Sequence, residues 1–175
     1  LYGPDSPQAI AQYCATDGAY GELIDALADG WDHTVVITLS DHDQETIADQ
    51  TSVALAEALA GFADLHVATD GTGALIHGDV GPDALAAIEA VAGIESAERL
   101  SADVWMAWTE PGRMFDAAPI PLGGQHGSPR CRTQLAIVSG GAPEAEPLVQ
   151  WIETAQPSAL EWAPLIVGLL GLEET

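Results

Sequence analysis

The run Thr34-Val35-Val36-Ile37-Thr38-Leu39 ends abruptly on Ser40-Asp41-His42-Asp43. β-Branched and aliphatic residues follow one another without polar alternation, over a length too short for a helix. Such a run reads as a strand buried on both faces, the pattern of a parallel sheet. In open α/β sheets ligands bind just beyond the carboxyl ends of the strands. The sequence therefore delivers two carboxylates and an imidazole to the place where such folds hold ligands. Asp and His are also ordinary oxygen and nitrogen donors to zinc and its neighbours. The alternative is a polar turn that merely closes the strand.

Charge narrows the chemistry. The 175-residue chain carries 27 acidic side chains against four arginines and no lysine, for a net charge of -23. A P-loop lysine, a Schiff-base lysine and a basic surface for the nucleic-acid backbone are all excluded. A phosphate group would have to be held by metal or by the few arginines. Cys14 and Cys131 are too few for a disulfide framework and form no Cys-x-x-Cys pair. No signal-peptide pattern is visible, and the longest apolar tail, Trp162 to Leu172, is too short to span a bilayer. At 47% hydrophobic the chain has material for one globular domain, and residues 1–175 are read as a single α/β domain.

In order along the chain, the pattern predicts a short helix from Pro7 to about Cys14 and a second over Gly18 to Ala28, stopped by Gly30. The Thr34–Leu39 strand follows, then a helix over Asp49 to Ala60 ended by Gly61. Leu65–Thr69 and Ala74–His77 flank Asp70-Gly71-Thr72-Gly73, a strong hairpin signal. His66 and His77 on its strands read as surface or core histidines. A helix is predicted from Pro82 to about Ala92, then strands over Glu95–Leu100 and Val104–Trp108. Trp105 and Trp108 read as core or cleft wall, since no basic residues surround them. Glu110 to Pro129 is rich in Gly and Pro and contains Gly123-Gly124-Gln125-His126-Gly127-Ser128. A strand over Gln134–Ser139 and helices over Glu144–Thr154 and about Trp162–Leu170 complete the chain, with Pro164 in the first turn of the last helix. Alternating strands and helices predict a three-layer α/β/α sandwich with a mostly parallel sheet.

At this point the chain resembles a known family. Thr34 to His42 is similar to the Ser-Asp-His strand of the alkaline phosphatase superfamily, and Gly124-Gln125-His126-Gly127 to its late Gly-x-His-Gly ligand loop. Gly3-Pro4-Asp5-Ser6 resembles the end of the Asp-x-x-Gly-His-x-x-Gly-Pro motif of the type I phosphodiesterase/nucleotide pyrophosphatase branch. The closing Trp162-Ala163-Pro164-Leu165 through Leu172 resembles that family's last helix.

The resemblance implies the C-terminal portion of an alkaline-phosphatase-like fold and a metal-dependent hydrolase of phosphate esters. It implies two divalent metal ions, commonly zinc, with Asp41 and His42 ligating one and His126 the other. It also implies a threonine or serine nucleophile in an upstream part of the same polypeptide, with a further ligand histidine immediately before Leu1. On that reading the chain as given is incomplete and inactive alone. The implied partners are a small phosphate-ester or nucleotide substrate and the upstream polypeptide. The family usually has Gly after Asp-His; here it is Asp43, an accessory ligand, an acceptor behind the ligands, or a solvated loop carboxylate. Arg130 and Arg132 follow the His126 loop, and Arg130 is the candidate for a phosphate contact, with surface arginine as its alternative. Thr38, Ser40, Ser128 and Cys131 are conceivable nucleophiles, but none lies in a Gly-x-Ser-x-Gly elbow. The competing reading is a non-catalytic α/β domain that keeps the fold and at most one weak metal site.

Overall fold

A computed structural model describes residues 2–49, 51–115 and 121–172. Gln50, within the helix expected over Asp49–Ala60, and residues 116–120 of the Gly/Pro-rich stretch lie outside the described residues. The chain divides into two compact units, Leu1–Ala15 with Asp43–Thr133, and Thr16–His42 with Gln134–Thr175.

Helix α1 runs unbroken over Pro7–Ala26, where the sequence predicts two helices. Gly18 and Gly21 lie inside it. A helical glycine costs about 1 kcal/mol relative to alanine, which weakens a helix without ending it. None of the α1 side chains is buried, and Ile10, Tyr13 and Leu23 are about half exposed.

The first unit is built on the predicted hairpin. Strands β3 (His66–Asp70) and β4 (Gly73–His77) pair in register His66↔His77 through Asp70↔Gly73. Gly71 takes the positive φ of 57° that the tight turn demands. β5 (Ile94–Arg99) and β6 (Val104–Thr109) complete an antiparallel sheet of order β3-β4-β6-β5. The pleat sends Val67, Ile76 and Trp105 to one face, and that face meets helices α2 (Leu55–Leu59) and α3 (Pro82–Glu89). Leu55, Ile76 and Ile88 are completely buried there, each contributing about 1.5–3 kcal/mol of apolar burial. α2 is much shorter than the predicted Asp49–Ala60 helix: the Asp49 side chain accepts from the Thr51 N–H at 2.9 Å, and the Val53 N–H donates to the Met114 carbonyl at 3.0 Å rather than to a helical partner. Two short strands that the sequence did not reveal, β2 (Glu45–Thr46) and β7 (Gly124–Gln125), pair antiparallel in the same unit.

In the second unit, β1 (Val35–Leu39) pairs antiparallel with β8 (Ala136–Gly140), and a 3-10 helix over Ala28–His33 precedes it. Helix α4 (Ala145–Ala155) packs on β8. Helix α5 (Ala159–Leu169) brings Trp162 edge-on to Trp151, ring centres 5.3 Å apart. α5 begins earlier than its apolar run suggests, because Glu161 accepts the Ser158 N–H at 2.7 Å in a capping box. Pro164 consequently falls in the helix interior rather than its first turn.

The coarse expectation of a mixed α/β chain holds. A mostly parallel sheet is not what the described residues build, since every strand pair is antiparallel and the only parallel element is an isolated bridge between Ser52 and Met114. β1 is half-buried along most of its length rather than enclosed on both faces, because its neighbour among the described residues is the single strand β8. No helix among the described residues is long and apolar enough to cross a membrane.

Candidate metal-binding site

The Ser-Asp-His segment emerges from the end of β1 as its sequence predicts. Ser40 fixes the exit twice, donating its N–H to Leu135 O at 3.0 Å and accepting the Leu135 N–H on its hydroxyl at 2.8 Å. Gln134 donates to the Asp41 carbonyl at 2.5 Å. One Asp41 carboxylate oxygen accepts the His42 N–H at 3.0 Å, and the other lies 3.3 Å from His42 Nε2. The Asp41 side chain is 84% exposed and that of His42 33%. A tetrahedral zinc site with bonds of about 2.0–2.1 Å has donor–donor edges of about 3.3 Å. The Asp41 oxygen and the His42 nitrogen stand at a separation common to a direct ion pair and to two donors on one ion.

The His126 loop is held within the first unit by a different set of groups. The Thr72 N–H donates to the His126 carbonyl at 2.8 Å, and the Thr72 hydroxyl stands 2.8 Å from the same oxygen and 2.9 Å from Glu45 Oε1. A hydroxyl has one proton to give. The ionised carboxylate is the stronger acceptor, which leaves the backbone N–H as the bond that pins His126. The loop also rests on the hairpin turn. A Cβ on Gly71 would lie 2.5 Å from the His126 carbonyl oxygen, and one on Gly127 (φ 114°) would lie 2.7 Å from Gly73 N. Glycine is required at both places for this approach.

Glu45 Oε1 also accepts from the Ser128 hydroxyl at 2.5 Å, and Glu45 Oε2 from Arg130 Nε at 2.7 Å. Burial alone would raise the Glu45 pKa; the bonds from Arg130, Ser128 and Thr72 outweigh it and hold the carboxyl below its ordinary range. The Arg130 guanidinium is turned onto protein acceptors: Glu45, Glu95, and the Thr109 carbonyl at 2.9 Å. The Asp43 N–H donates to the Cys131 carbonyl at 3.0 Å, and its carboxylate accepts the Gln44 N–H at 2.7 Å. Three of the four conceivable nucleophiles are engaged elsewhere, and Thr38 lies within β1. Ser40 braces β1, Ser128 donates to Glu45, and Cys131 is buried with its pKa raised first by burial and then by the Glu45 charge. His66 and His77 face one another across the hairpin, both exposed. Among the described residues no three His, Cys, Asp or Glu side chains gather as a metal cage.

The family model for type I phosphodiesterase / nucleotide pyrophosphatase matches residues 1–114. The chain belongs to that family. No curated protein matches it. The matched stretch contains Ser40, Asp41 and His42, whereas His126 lies beyond it. Glu45 and Thr72 are residues around the His126 loop that the sequence did not single out. Glu45 reads as one more acid in the polar run Asp41–Glu45, and Thr72 as the interior of a hairpin turn. The only available signal was Thr72 itself, a β-branched residue where small and flexible ones are usual.

Proposed function

We propose that the chain is the C-terminal part of a metal-dependent phosphodiesterase or nucleotide pyrophosphatase acting on a small phosphate ester or nucleotide. The carrying observation is a family match that includes an Asp-His pair whose donor atoms lie 3.3 Å apart at the end of a strand. On this reading Asp41 and His42 ligate one divalent ion, His126 ligates a second, and both ions are zinc. Bound metal supplies charge stabilisation of the attacking and leaving oxygens at phosphorus. Asp41 contributes a carboxylate oxygen and His42 a neutral imidazole nitrogen. Asp43 stands as an acceptor behind the ligands, and Arg130 acts by holding the loop that follows His126. The nucleophilic hydroxyl, the remaining ligands and the parallel strands that would flank β1 belong to the upstream part of the same polypeptide. The unburied α1 helix, with Ile10, Tyr13 and Leu23 exposed, supports such a partner. The second reading, a non-catalytic domain with one weak metal site, draws on the lack of a three-donor cluster among the described residues.

Hydrolysis of p-nitrophenyl phosphodiesters in zinc-loaded buffer separates the two. The chain alone should turn over no faster than a metal-matched blank. A protein extended upstream through the Asp-x-x-Gly-His motif should turn over and lose most activity in His42→Ala and in His126→Ala. Extended protein that stays inactive at all metal concentrations would favour the non-catalytic reading. Turnover by the short chain that is abolished in Ser128→Ala and retained in His42→Ala would place the chemistry elsewhere.

A further inference from the structure

Four residues close a ring of hydrogen bonds beside the His126 loop. The Thr72 hydroxyl donates to Glu45 Oε1, and the Thr109 N–H donates to the Thr72 carbonyl at 3.0 Å. Arg130 then donates one terminal nitrogen to the Thr109 carbonyl and Nε to Glu45 Oε2. These residues come from β2, the hairpin turn, the end of β6 and the 3-10 helix over Pro129–Cys131. Thr72 and Thr109 are fully buried. The loop hangs on this ring at two points, the His126 carbonyl on the Thr72 N–H and the Ser128 hydroxyl on Glu45.

A carboxylate in such surroundings is costly unless every oxygen is satisfied, and an apolar side chain would fill the space at less risk. Glu45 is satisfied by three strong donors, one of them a guanidinium. What the charge gains there is geometry. An acceptor with two oxygens holds Thr72 and Ser128 on one side and Arg130 Nε on the other. β2 pairs with β7 through Glu45↔Gln125, so the backbone of Glu45 lies against the residue preceding His126 while its side chain holds the residues around it.

We infer that Glu45 is a positioning residue that fixes the His126 loop through Thr72, Ser128 and Arg130, and thereby sets the metal affinity of His126. The metal half of this inference rests on the reading of His126 as a ligand; the loop half does not. Hydrogen exchange of the full chain, followed by NMR, reads the loop half. In Glu45→Ala the Thr72 and Cys131 amides should exchange about tenfold faster, with amides inside the β4–β6 pairing unchanged and Glu45→Gln intermediate. If Glu45→Ala fails to fold, Glu45→Gln carries the comparison. Zn²⁺ titration on the His126 ring resonances, in protein extended upstream through the Asp-x-x-Gly-His motif, reads the metal half. The midpoint should rise about tenfold in Glu45→Ala, the usual lower cost of losing a group behind a ligand, with the His66 and His77 responses unmoved.

Unchanged protection of Thr72 and Cys131 in both variants would overturn the inference. So would a loosened loop whose His126 titrates with Zn²⁺ as in the wild type. A wild-type His126 that ignores Zn²⁺ would instead defeat the metal reading, and the exchange comparison would still decide what Glu45 does.

Discussion

Glu45 shows how one side chain inherits its properties from its neighbours. Its pKa is depressed on folding because Arg130, Ser128 and Thr72 outweigh the burial that opposes ionisation. A depressed carboxyl contributes stability that is present above its unfolded pKa of about 4.3 and is lost as the pH falls through the lower, folded value. Glu45→Gln should therefore lower the melting temperature at pH 7, and the gap to wild type should close as the pH is taken below about 4. A gap that persists at low pH would assign the loss to packing. Glycine is constrained as tightly as glutamate here. Gly127→Ala places a Cβ against Gly73 N and the Asp70 carbonyl at a φ of 114°. The clash and the backbone strain together should cost about 2–4 kcal/mol in urea unfolding. A loss below about 1 kcal/mol would mean that the loop re-forms elsewhere.

Among the elements, those coded locally were legible and those completed by distant partners were not. The hairpin β3–β4 was read correctly because Asp70-Gly71-Thr72-Gly73 specifies its own turn. β1 was placed correctly by its β-branched run, but its partner and direction were not, because pairing with β8 joins residues about a hundred apart and leaves no local trace. Its unbroken apolar pattern predicts burial on both faces, whereas β1 is half-buried beside β8, its neighbour among the described residues. At α1 the pattern predicts two helices, Pro7 to about Cys14 and Gly18 to Ala28, whereas one helix runs over Pro7–Ala26. At the candidate site, Asp41, His42 and His126 were visible as residue types in suggestive settings. The Glu45 ring was invisible, because its members lie at four separate places in the chain. The α5 start is a further test at this scale. Glu161→Ala removes the acceptor of the Ser158 N–H and should cost about 0.5–1 kcal/mol in a denaturant melt, whereas Glu161→Gln, which keeps an acceptor, should cost less.

Across the whole molecule the charge of -23 dominates. Like charges repel over about a Debye length, and moderate salt screens them. The melting temperature should rise between about 10 mM and several hundred millimolar NaCl as the Debye length shrinks from about 30 Å toward a few ångströms. A flat or falling curve would mean that local ion pairs such as Arg130–Glu45 outweigh the repulsion. The same field concentrates divalent cations at the surface, so weak metal uptake by itself would say little, and the position of the metal is what matters. The most direct measurement is anomalous diffraction at the zinc edge from crystals grown with Zn²⁺. The predicted result is a peak about 2.0–2.2 Å from an Asp41 carboxylate oxygen and a His42 ring nitrogen, with a second peak on a His126 ring nitrogen. Zinc found on His66 and His77 with none at Asp41 and His42, or no zinc on His126, would contradict the account.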